Sequence, residues 1–144
     1  AGHAVALLPP GDVAAADTFQ RDFAPEFSFA LIRGEWNMTR RATQGRPDLH
    51  PDLAVMLATS GTEGRPRWVR LSYHNIESNA ASIVEYLGLT ERDRAAQTLP
   101  FHYSYGLSVL NSHLVAGGSL AFCGGSTANS APVVVPCKAD SIAV

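Results

Sequence analysis

The sequence predicts an α/β fold, a layered and mostly parallel sheet with flanking helices. Short apolar runs suit buried strands, and two longer stretches carry apolar residues at helical spacing. From residue 53 to residue 122 the two kinds of segment alternate, which is typical of α/β layers. With 144 residues, 46% of them hydrophobic, the chain has room for about one globular domain.

The first third of the chain contains three predicted elements. Val5–Leu8 is an apolar run that predicts a short strand, stopped by two prolines and a glycine. Val13–Phe23 is rich in alanine and predicts a helix that ends before the next proline. Phe27–Ile32 alternates apolar and small residues and predicts a strand. The polar stretch from Arg33 to Pro51 predicts a surface connection.

The next two strands and a helix follow without a long gap. Leu53–Ala58 is continuously apolar, as in a central strand, and Arg67–Leu71 alternates as a partner strand would. Ser72 suits the N-cap of a helix, and Gly88 suits its C-terminal stop. The predicted apolar face of this helix consists of Ile76, Ala80, Ile83, Val84 and Leu87.

The last predicted elements reach residue 123. Ala95–Leu99 predicts a strand, Gly106–Ala116 a helix that ends at two glycines, and Ser119–Cys123 a returning strand. Beyond them the chain is small and polar, apart from the apolar run Val133–Val135. Such a segment has little capacity to bury a core, so it predicts a divergent or disordered tail.

Composition and charge exclude several classes of function. A net charge of −2 provides no basic field that would recruit nucleic acid or an anionic membrane. No apolar run approaches the ~18 residues of a membrane span, and the N-terminus lacks the basic start of a signal peptide, so we expect a cytoplasmic protein. Cys123 and Cys137 form no recognisable metal box or disulfide framework. Because the chain begins at Ala1 rather than Met, we expect a piece of a longer protein.

The segment most informative about function is residues 59–67, Thr-Ser-Gly-Thr-Glu-Gly-Arg-Pro-Arg. Its hydroxyls and glycines favour a flexible loop with converging N–H and O–H groups, and Arg65 and Arg67 add positive charge at its exit. Backbone donors and cations both favour phosphate oxygens. The loop is not a Walker A sequence, since only two residues separate Gly61 from Gly64. The alternative is an ordinary Ser/Gly turn that joins two strands.

This loop resembles the phosphate loop of the adenylate-forming superfamily, which includes acyl-CoA synthetases, peptide-synthetase adenylation domains and luciferases. The consensus Thr-Ser-Gly-Thr/Ser-Thr-Gly-x-Pro-Lys-Gly is matched in register at Thr59, Ser60, Gly61, Thr62, Gly64 and Pro66. Arg67 replaces the lysine and keeps its positive charge. Trp68 replaces the last glycine, which is acceptable if a strand begins there. Glu63 replaces a hydroxyl residue and must point to solvent or toward Mg²⁺, because a carboxylate beside phosphate is repelled. The resemblance implies that ATP is bound by Thr59, Ser60, Gly61, Thr62, Gly64 and Arg67.

A second segment, residues 99–106, follows the end of a predicted strand, where ligands bind in α/β sheets. It is similar to the superfamily's second core motif, with His102, Tyr105 and Gly106 as counterparts. The resemblance implies that His102 lies between the acyl pocket and the nucleotide, as a catalytic-site residue. The alternative is that the aromatic residues only pack and that His102 is a structural hydrogen-bonded group. Two further stretches resemble the superfamily: residues 71–75, in which Asn75 matches, and residues 111–118. We interpret His113, in the second stretch, as structural.

The resemblance implies a fragment of an AMP-forming ligase, closest to the fatty-acyl-CoA synthetases. Such an enzyme activates a carboxylic acid with ATP and Mg²⁺ and passes the acyl group to a thiol, here expected to be coenzyme A. It implies a partial N-terminal AMP-binding domain over residues 1–122, strongest over 53–122, followed by the tail 123–144. The superfamily's adenine-binding Tyr-Gly-x-Thr-Glu motif, its ribose-binding Thr-Gly-Asp motif and its C-terminal catalytic lysine have no match here. We therefore expect Mg²⁺ to bind mainly elsewhere and this piece to be inactive by itself.

The rival hypothesis is a non-catalytic α/β module, either a phosphate-binding or interaction domain or a degenerate remnant. Other enzyme classes lack their signatures. No serine lies in a Gly-x-Ser-x-Gly elbow, no histidine pair has zinc-site spacing, and no Gly-x-Gly-x-x-Gly motif occurs. The sequence therefore leaves two functions open, an acid-activating ligase and an anion-binding module.

Overall fold

The computed structural model describes residues 3–41, 49–59, 67–122 and 133–136. Within these ranges the chain forms strands and helices in a layered arrangement, and the predicted α/β class is confirmed. In chain order the elements are β1 (Val5–Leu7), α1 (Val13–Phe23), β2 (Phe27–Ile32), β3 (Glu35–Arg40), β4 (Leu53–Thr59), β5 (Arg67–Ser72), α2 (Tyr73–Leu87), β6 (Arg94–Gln97), α3 (Ser104–Ala116), β7 (Ser119–Phe122) and β8 (Val133–Pro136).

The described strands form three sheets. In the first, β4 lies between β1, which runs parallel to it, and β5, which runs antiparallel. Strands β2 and β3 form an antiparallel hairpin, and β7 pairs parallel with β6 and antiparallel with β8. The pairing is therefore mixed, and the expectation of mostly parallel strands does not hold for it. Short connections favour antiparallel neighbours, since a parallel pair needs a longer crossover.

Most predicted elements form where the sequence placed them. The bounds of α1 and β2 agree with the prediction, whereas α3 begins at Ser104, two residues before the expected start, and β6 ends at Gln97, two residues before the expected end. In the predicted tail, Val133–Pro136 forms β8. Residues 123–132 and 137–144, with both cysteines, lie outside the described residues, so the division into domain and tail stays a prediction.

The prediction of a polar connection from Arg33 to Pro51 was wrong, because this segment contains β3. Arg33 and Gly34 have φ values of 53° and 84° and join the paired residues Ile32 and Glu35. Two successive positive φ values are what a two-residue type I′ hairpin turn requires. Every residue of β3 is exposed, so the strand lacks the buried alternate face that makes a strand visible in a sequence.

The packed core of the first sheet lies between α1 and β4. Phe19 is buried against Leu53 and Met56, and Phe23 and Trp68 cover it from the side. The ring centroid of Phe19 lies 4.8 Å from that of Phe23 and 4.8 Å from that of Trp68, the latter edge to face. Because β5 begins one residue before Trp68, this aromatic contact fixes the first residues of that strand.

Helix α2 begins and ends as predicted. The Ser72 hydroxyl accepts a hydrogen bond from the Asn75 N–H at 3.1 Å, and Asn75 Oδ1 accepts one from the Ser72 N–H at 3.0 Å. This reciprocal pair is a capping box. Gly88 ends the helix with φ 63°. Ala80 of the predicted apolar face is buried, whereas Leu87 is exposed. No helix among the described residues is long and apolar enough to cross a membrane.

Asp93 organises the turn between α2 and β6. Its Oδ2 accepts hydrogen bonds from the Thr90 N–H at 2.7 Å and from the Thr90 hydroxyl at 2.8 Å. The Asp93 carbonyl accepts the Ser119 N–H at 2.9 Å, which ties this turn to the start of β7. The two hydrogen bonds from Thr90, helped by nearby His113, hold the pKa of Asp93 below its ordinary value of 3.8, against a small effect of burial in the other direction.

Removing the cap of α2 tests its contribution. We expect Ser72→Ala to lower the free energy of local unfolding of α2 by about 1 kcal/mol, because the Asn75 N–H loses its acceptor. Hydrogen exchange of the helix amides measures this free energy. The exposed Ser82 of the same helix provides the control, since Ser82→Ala should change it by less than about 0.5 kcal/mol. Equal effects of the two substitutions would contradict the capping role.

Acid should weaken the turn at Asp93. Because the pKa of Asp93 is lower in the folded than in the unfolded chain, its carboxylate stabilises the turn above the unfolded pKa. That stabilisation is lost as the pH falls below about 4, through the folded pKa. We expect the exchange protection of Thr90 and Ser119, corrected for intrinsic rates, to decrease across this range. In Asp93→Asn the same protection should not follow pH, and a wild-type protection that is flat down to about pH 2 would contradict the prediction.

Candidate functional site

Strands β4 and β5 hold the two ends of the predicted phosphate loop. Thr59, the last residue of β4, pairs with Arg67, the first residue of β5, and the Thr59 hydroxyl donates a hydrogen bond to the Arg67 carbonyl at 3.2 Å. Trp68 lies in β5, so the condition under which a tryptophan can replace the last glycine of the motif is met. The loop is thus closed at its base by a strand pair. The other predicted phosphate-binding residues lie outside the described residues: Ser60, Gly61, Thr62 and Gly64.

The chemistry available at the two described ends differs. The Thr59 hydroxyl proton is directed to the Arg67 carbonyl, so it cannot reach a phosphate while this bond holds. The Arg67 side chain is exposed, and among the described residues it has no acidic partner within ion-pair distance. A guanidinium without a carboxylate partner can offer its planar fork to an anion. Of these two residues, Arg67 is therefore the better candidate for a phosphate contact.

His102 lies in the turn between β6 and α3 and is half-buried. The Tyr103 N–H donates to the Pro100 carbonyl at 3.1 Å, which closes this turn around it. Within the described ranges no hydrogen bond joins His102 to Thr59 or Arg67. The structure therefore brings Thr59 and Arg67 together but does not join His102 to them, and the role of His102 on the acid side stays a prediction.

Helix α3 begins directly against the backbone of the same turn. Gly106 is buried, and a Cβ atom at this position would lie 2.4 Å from the Pro100 carbonyl oxygen and 2.8 Å from that of Leu99. Both atoms belong to the backbone and cannot swing aside as a side chain could. Any larger residue must displace either the helix or the turn, which gives a steric reason for the glycine of the motif.

A small open recess of about 30 Å³ lies beside this turn. It has room for about two water molecules and is too small for an acyl chain. His102 does not line it. The lining residues are Ala96, Gln97, Thr98, Leu99, Tyr105, Gly106 and Val109.

Sequence reasoning missed Gln97 at this place. It is 8% exposed, and its side-chain Nε2 donates hydrogen bonds to the Leu99 carbonyl and, at 3.3 Å, to the Gly106 carbonyl. The available signal was a glutamine near the middle of the predicted strand Ala95–Leu99. His113, interpreted as structural, is buried, and its Nδ1 donates to the Val109 carbonyl at 2.9 Å. Among the described residues no three His, Cys, Asp or Glu side chains are grouped to hold a metal ion.

Similarity to known proteins decides the family. The AMP-binding enzyme family matches residues 8–137. The chain belongs to this family. The predicted resemblance to adenylate-forming enzymes is therefore confirmed, and the AMP-binding match includes both the phosphate loop and the His102 segment.

The relatives are much longer than this chain. A 2-succinylbenzoate–CoA ligase of Bacillus velezensis is 42% identical over 66 residues, which are 46% of this chain and 14% of that protein. A sulfoacetate–CoA ligase of Cupriavidus necator is 36% identical over 84 residues, which are 57% of this chain and 16% of that protein. The ATP-bound crystal structure of MatB from Rhodopseudomonas palustris has a TM-score of 0.47 and 34% identity, over 59% of this chain and 17% of that one.

The close approach at Gly106 predicts an unusual effect of alanine. An exposed Gly→Ala change inside a helix ordinarily stabilises it by about 1 kcal/mol. Here we expect Gly106→Ala to destabilise α3 by about 1–3 kcal/mol, because the methyl group meets the Pro100 carbonyl. Hydrogen exchange of the α3 amides measures the change. Ser104→Ala, in the exposed first turn of the same helix, is the control and should be nearly neutral. If Gly106→Ala instead stabilises α3, the turn accommodates the methyl group without a loss of stability, which would contradict the prediction.

Proposed function

We propose that the protein carrying this chain is an AMP-forming acid–thiol ligase. It activates a carboxylic acid with ATP to an acyl-adenylate, releases pyrophosphate, and transfers the acyl group to coenzyme A. The observation that carries the proposal is the AMP-binding family match over residues 8–137, which spans the loop closed at Thr59 and Arg67. Because the matched segments make up only 14% and 16% of the two relatives, we propose that this chain alone does not turn over.

The proposed work of the loop is electrostatic. Attack of the carboxylate on the α-phosphorus places growing negative charge on the departing pyrophosphate, which fixed donors and cations stabilise. In the proposal, the N–H and hydroxyl groups of Ser60, Gly61, Thr62 and Gly64 hold the β- and γ-phosphates. Arg67 supplies the counter-charge at the base of the loop. His102 forms part of the wall on the acid side.

Mg²⁺ and the acid are the other two components of the proposed reaction. Mg²⁺ prefers carboxylate and phosphate oxygens and, when bound, neutralises phosphate charge. The described residues hold no acidic cluster for it, so no residue of the described ranges is assigned to Mg²⁺. Two relatives are named for coenzyme A ligation of 2-succinylbenzoate and of sulfoacetate, which supports coenzyme A as the acceptor and a small carboxylic acid as the partner. A role in fatty acid metabolism and a cytoplasmic location stay predictions.

Acid-dependent exchange tests the proposed reaction. The full-length protein is incubated with ATP, Mg²⁺, labelled pyrophosphate and one member of a panel of carboxylic acids. Label should enter ATP only when an acceptable acid is present, because the adenylate forms reversibly. A folded protein that binds ATP yet supports no exchange with any acid would favour the non-catalytic phosphate-binding module instead.

Substitution of Arg67 tests the loop itself. We expect Arg67→Gln to raise the KM for MgATP in this exchange by about tenfold to hundredfold, since a charge-assisted hydrogen bond contributes about 1.5–3 kcal/mol. Arg67→Lys should recover part of this loss, because it restores the charge without the planar fork.

Arg70→Gln provides the matched control. Arg70 is also exposed and lies on the same strand, so this substitution removes the same charge three residues from the loop. It should leave the KM for MgATP within about twofold of wild type. If the two glutamine variants behave alike, net charge rather than a specific contact explains the effect, and the assignment of Arg67 fails.

A further inference from the structure

We infer that Gln97 is a positioning residue that clamps the turn carrying His102 and thereby sets the affinity for the acid. The inference rests on the proposed function and extends it to a residue outside both motifs. Gln97 ends β6, whereas the turn occupies residues 98–103 and α3 begins at Ser104. The residue thus lies at one end of the segment that bears His102.

The side-chain amide of Gln97 joins both ends of this segment. Its Nε2 donates to the Leu99 carbonyl, at the entry to the turn, and to the Gly106 carbonyl, in the first turn of α3, at 3.3 Å. The orientation of the amide follows from chemistry. Both neighbours are carbonyl oxygens, which only accept, so the nitrogen end must face them and the oxygen end must face away.

Close approach of the backbone makes this clamp possible. Because Gly106 has no side chain, the first turn of α3 lies against the Leu99 and Pro100 carbonyls. The Leu99 and Gly106 carbonyls therefore both come within hydrogen-bond distance of the Gln97 side-chain amide. The hydrogen bond from the Tyr103 N–H to the Pro100 carbonyl then tightens the part of the turn that contains His102. Freedom of the turn is therefore limited at its entry, at its centre and at its exit.

The other end of the same amide argues against a role in stability alone. Gln97 Oε1 is buried and has no hydrogen-bond partner among the described residues. A buried acceptor without a donor is unfavourable, and an apolar side chain of similar shape would avoid that cost. The two hydrogen bonds from Nε2, which hold the turn, therefore account for a glutamine at this position better than burial alone does.

Two near-isosteric substitutions in the full-length protein test the inference. Gln97→Met removes both the clamp and the orphaned acceptor, and Gln97→Glu places a carboxylate oxygen against the two carbonyls. In pyrophosphate exchange we expect both to raise the KM for the acid by about tenfold while the KM for ATP stays within about twofold, with Glu the more severe. The thermal midpoint of the Met variant should stay near wild type.

Ser112→Ala is the control for a purely structural defect. Ser112 is buried in α3, donates to the Val109 carbonyl at 3.2 Å, and does not line the recess or the turn. It should lower the thermal midpoint without shifting the KM for the acid. If Gln97→Met instead lowers the midpoint and leaves the KM for the acid unchanged, Gln97 is merely structural and the inference is overturned.

Hydrogen exchange separates failure of this inference from failure of the proposed function. If none of the acids supports pyrophosphate exchange by the unmodified protein, the proposed function fails. Deuterium uptake across residues 98–106 then tests by itself whether Gln97 holds the turn. Gln97→Met should increase uptake there and leave β4 and β5 unchanged. Equal uptake in wild type and variant would refute the clamp, whether or not the protein is an active ligase.

Discussion

Strand β4 is the element on which the described structure depends. It is hydrogen-bonded on both edges, to β1 and to β5, and its buried residues occupy both faces. A strand in this position needs apolar side chains throughout, which is why it reads as a continuous hydrophobic run. Its last residue, Thr59, and the paired Arg67 are therefore fixed by packing that has nothing to do with phosphate. A hydrophobic strand thus provides a rigid base for the loop that we propose binds phosphate.

The second candidate segment is held by a different kind of constraint. One aromatic contact anchors the turn that carries His102, with the Phe101 ring edge to face on Phe122 of β7 at 6.0 Å between centroids. Beyond it, the first turn of α3 approaches the backbone so closely that only a glycine fits, and a buried amide fills the space between the carbonyls that meet there. This contact is therefore sensitive to the size of the side chain at residue 106. At Gly106 even a methyl group would meet the Pro100 carbonyl oxygen.

The features that the sequence could predict are those that depend on residues close together in the chain. The helix bounds of α1, the cap at Ser72 and the central position of β4 depend on residues near one another in the chain, and these were predictable. Strand β3 was missed because its side chains are all exposed and its turn is Arg-Gly rather than a familiar Asn-Gly. Gln97 was missed because its partners are backbone carbonyls, which leave no signature in a sequence. The family resemblance located the two motifs but could not reveal what fixes them.

The two candidate segments lie on different sheets, so their relative position depends on the helices between them. Helix α2 follows β5 directly and packs on the first sheet, whereas α3 follows the His102 turn and packs on β6 and β7. The helices contact each other, with Ala80 buried and the Ser108 hydroxyl donating to Asn79 Oδ1 at 3.2 Å. Since no described strand pairs across the two sheets, this helix contact sets the relative position of the two candidate segments. A ligase that must align a carboxylate with a nucleotide would then depend on helix packing as much as on either motif.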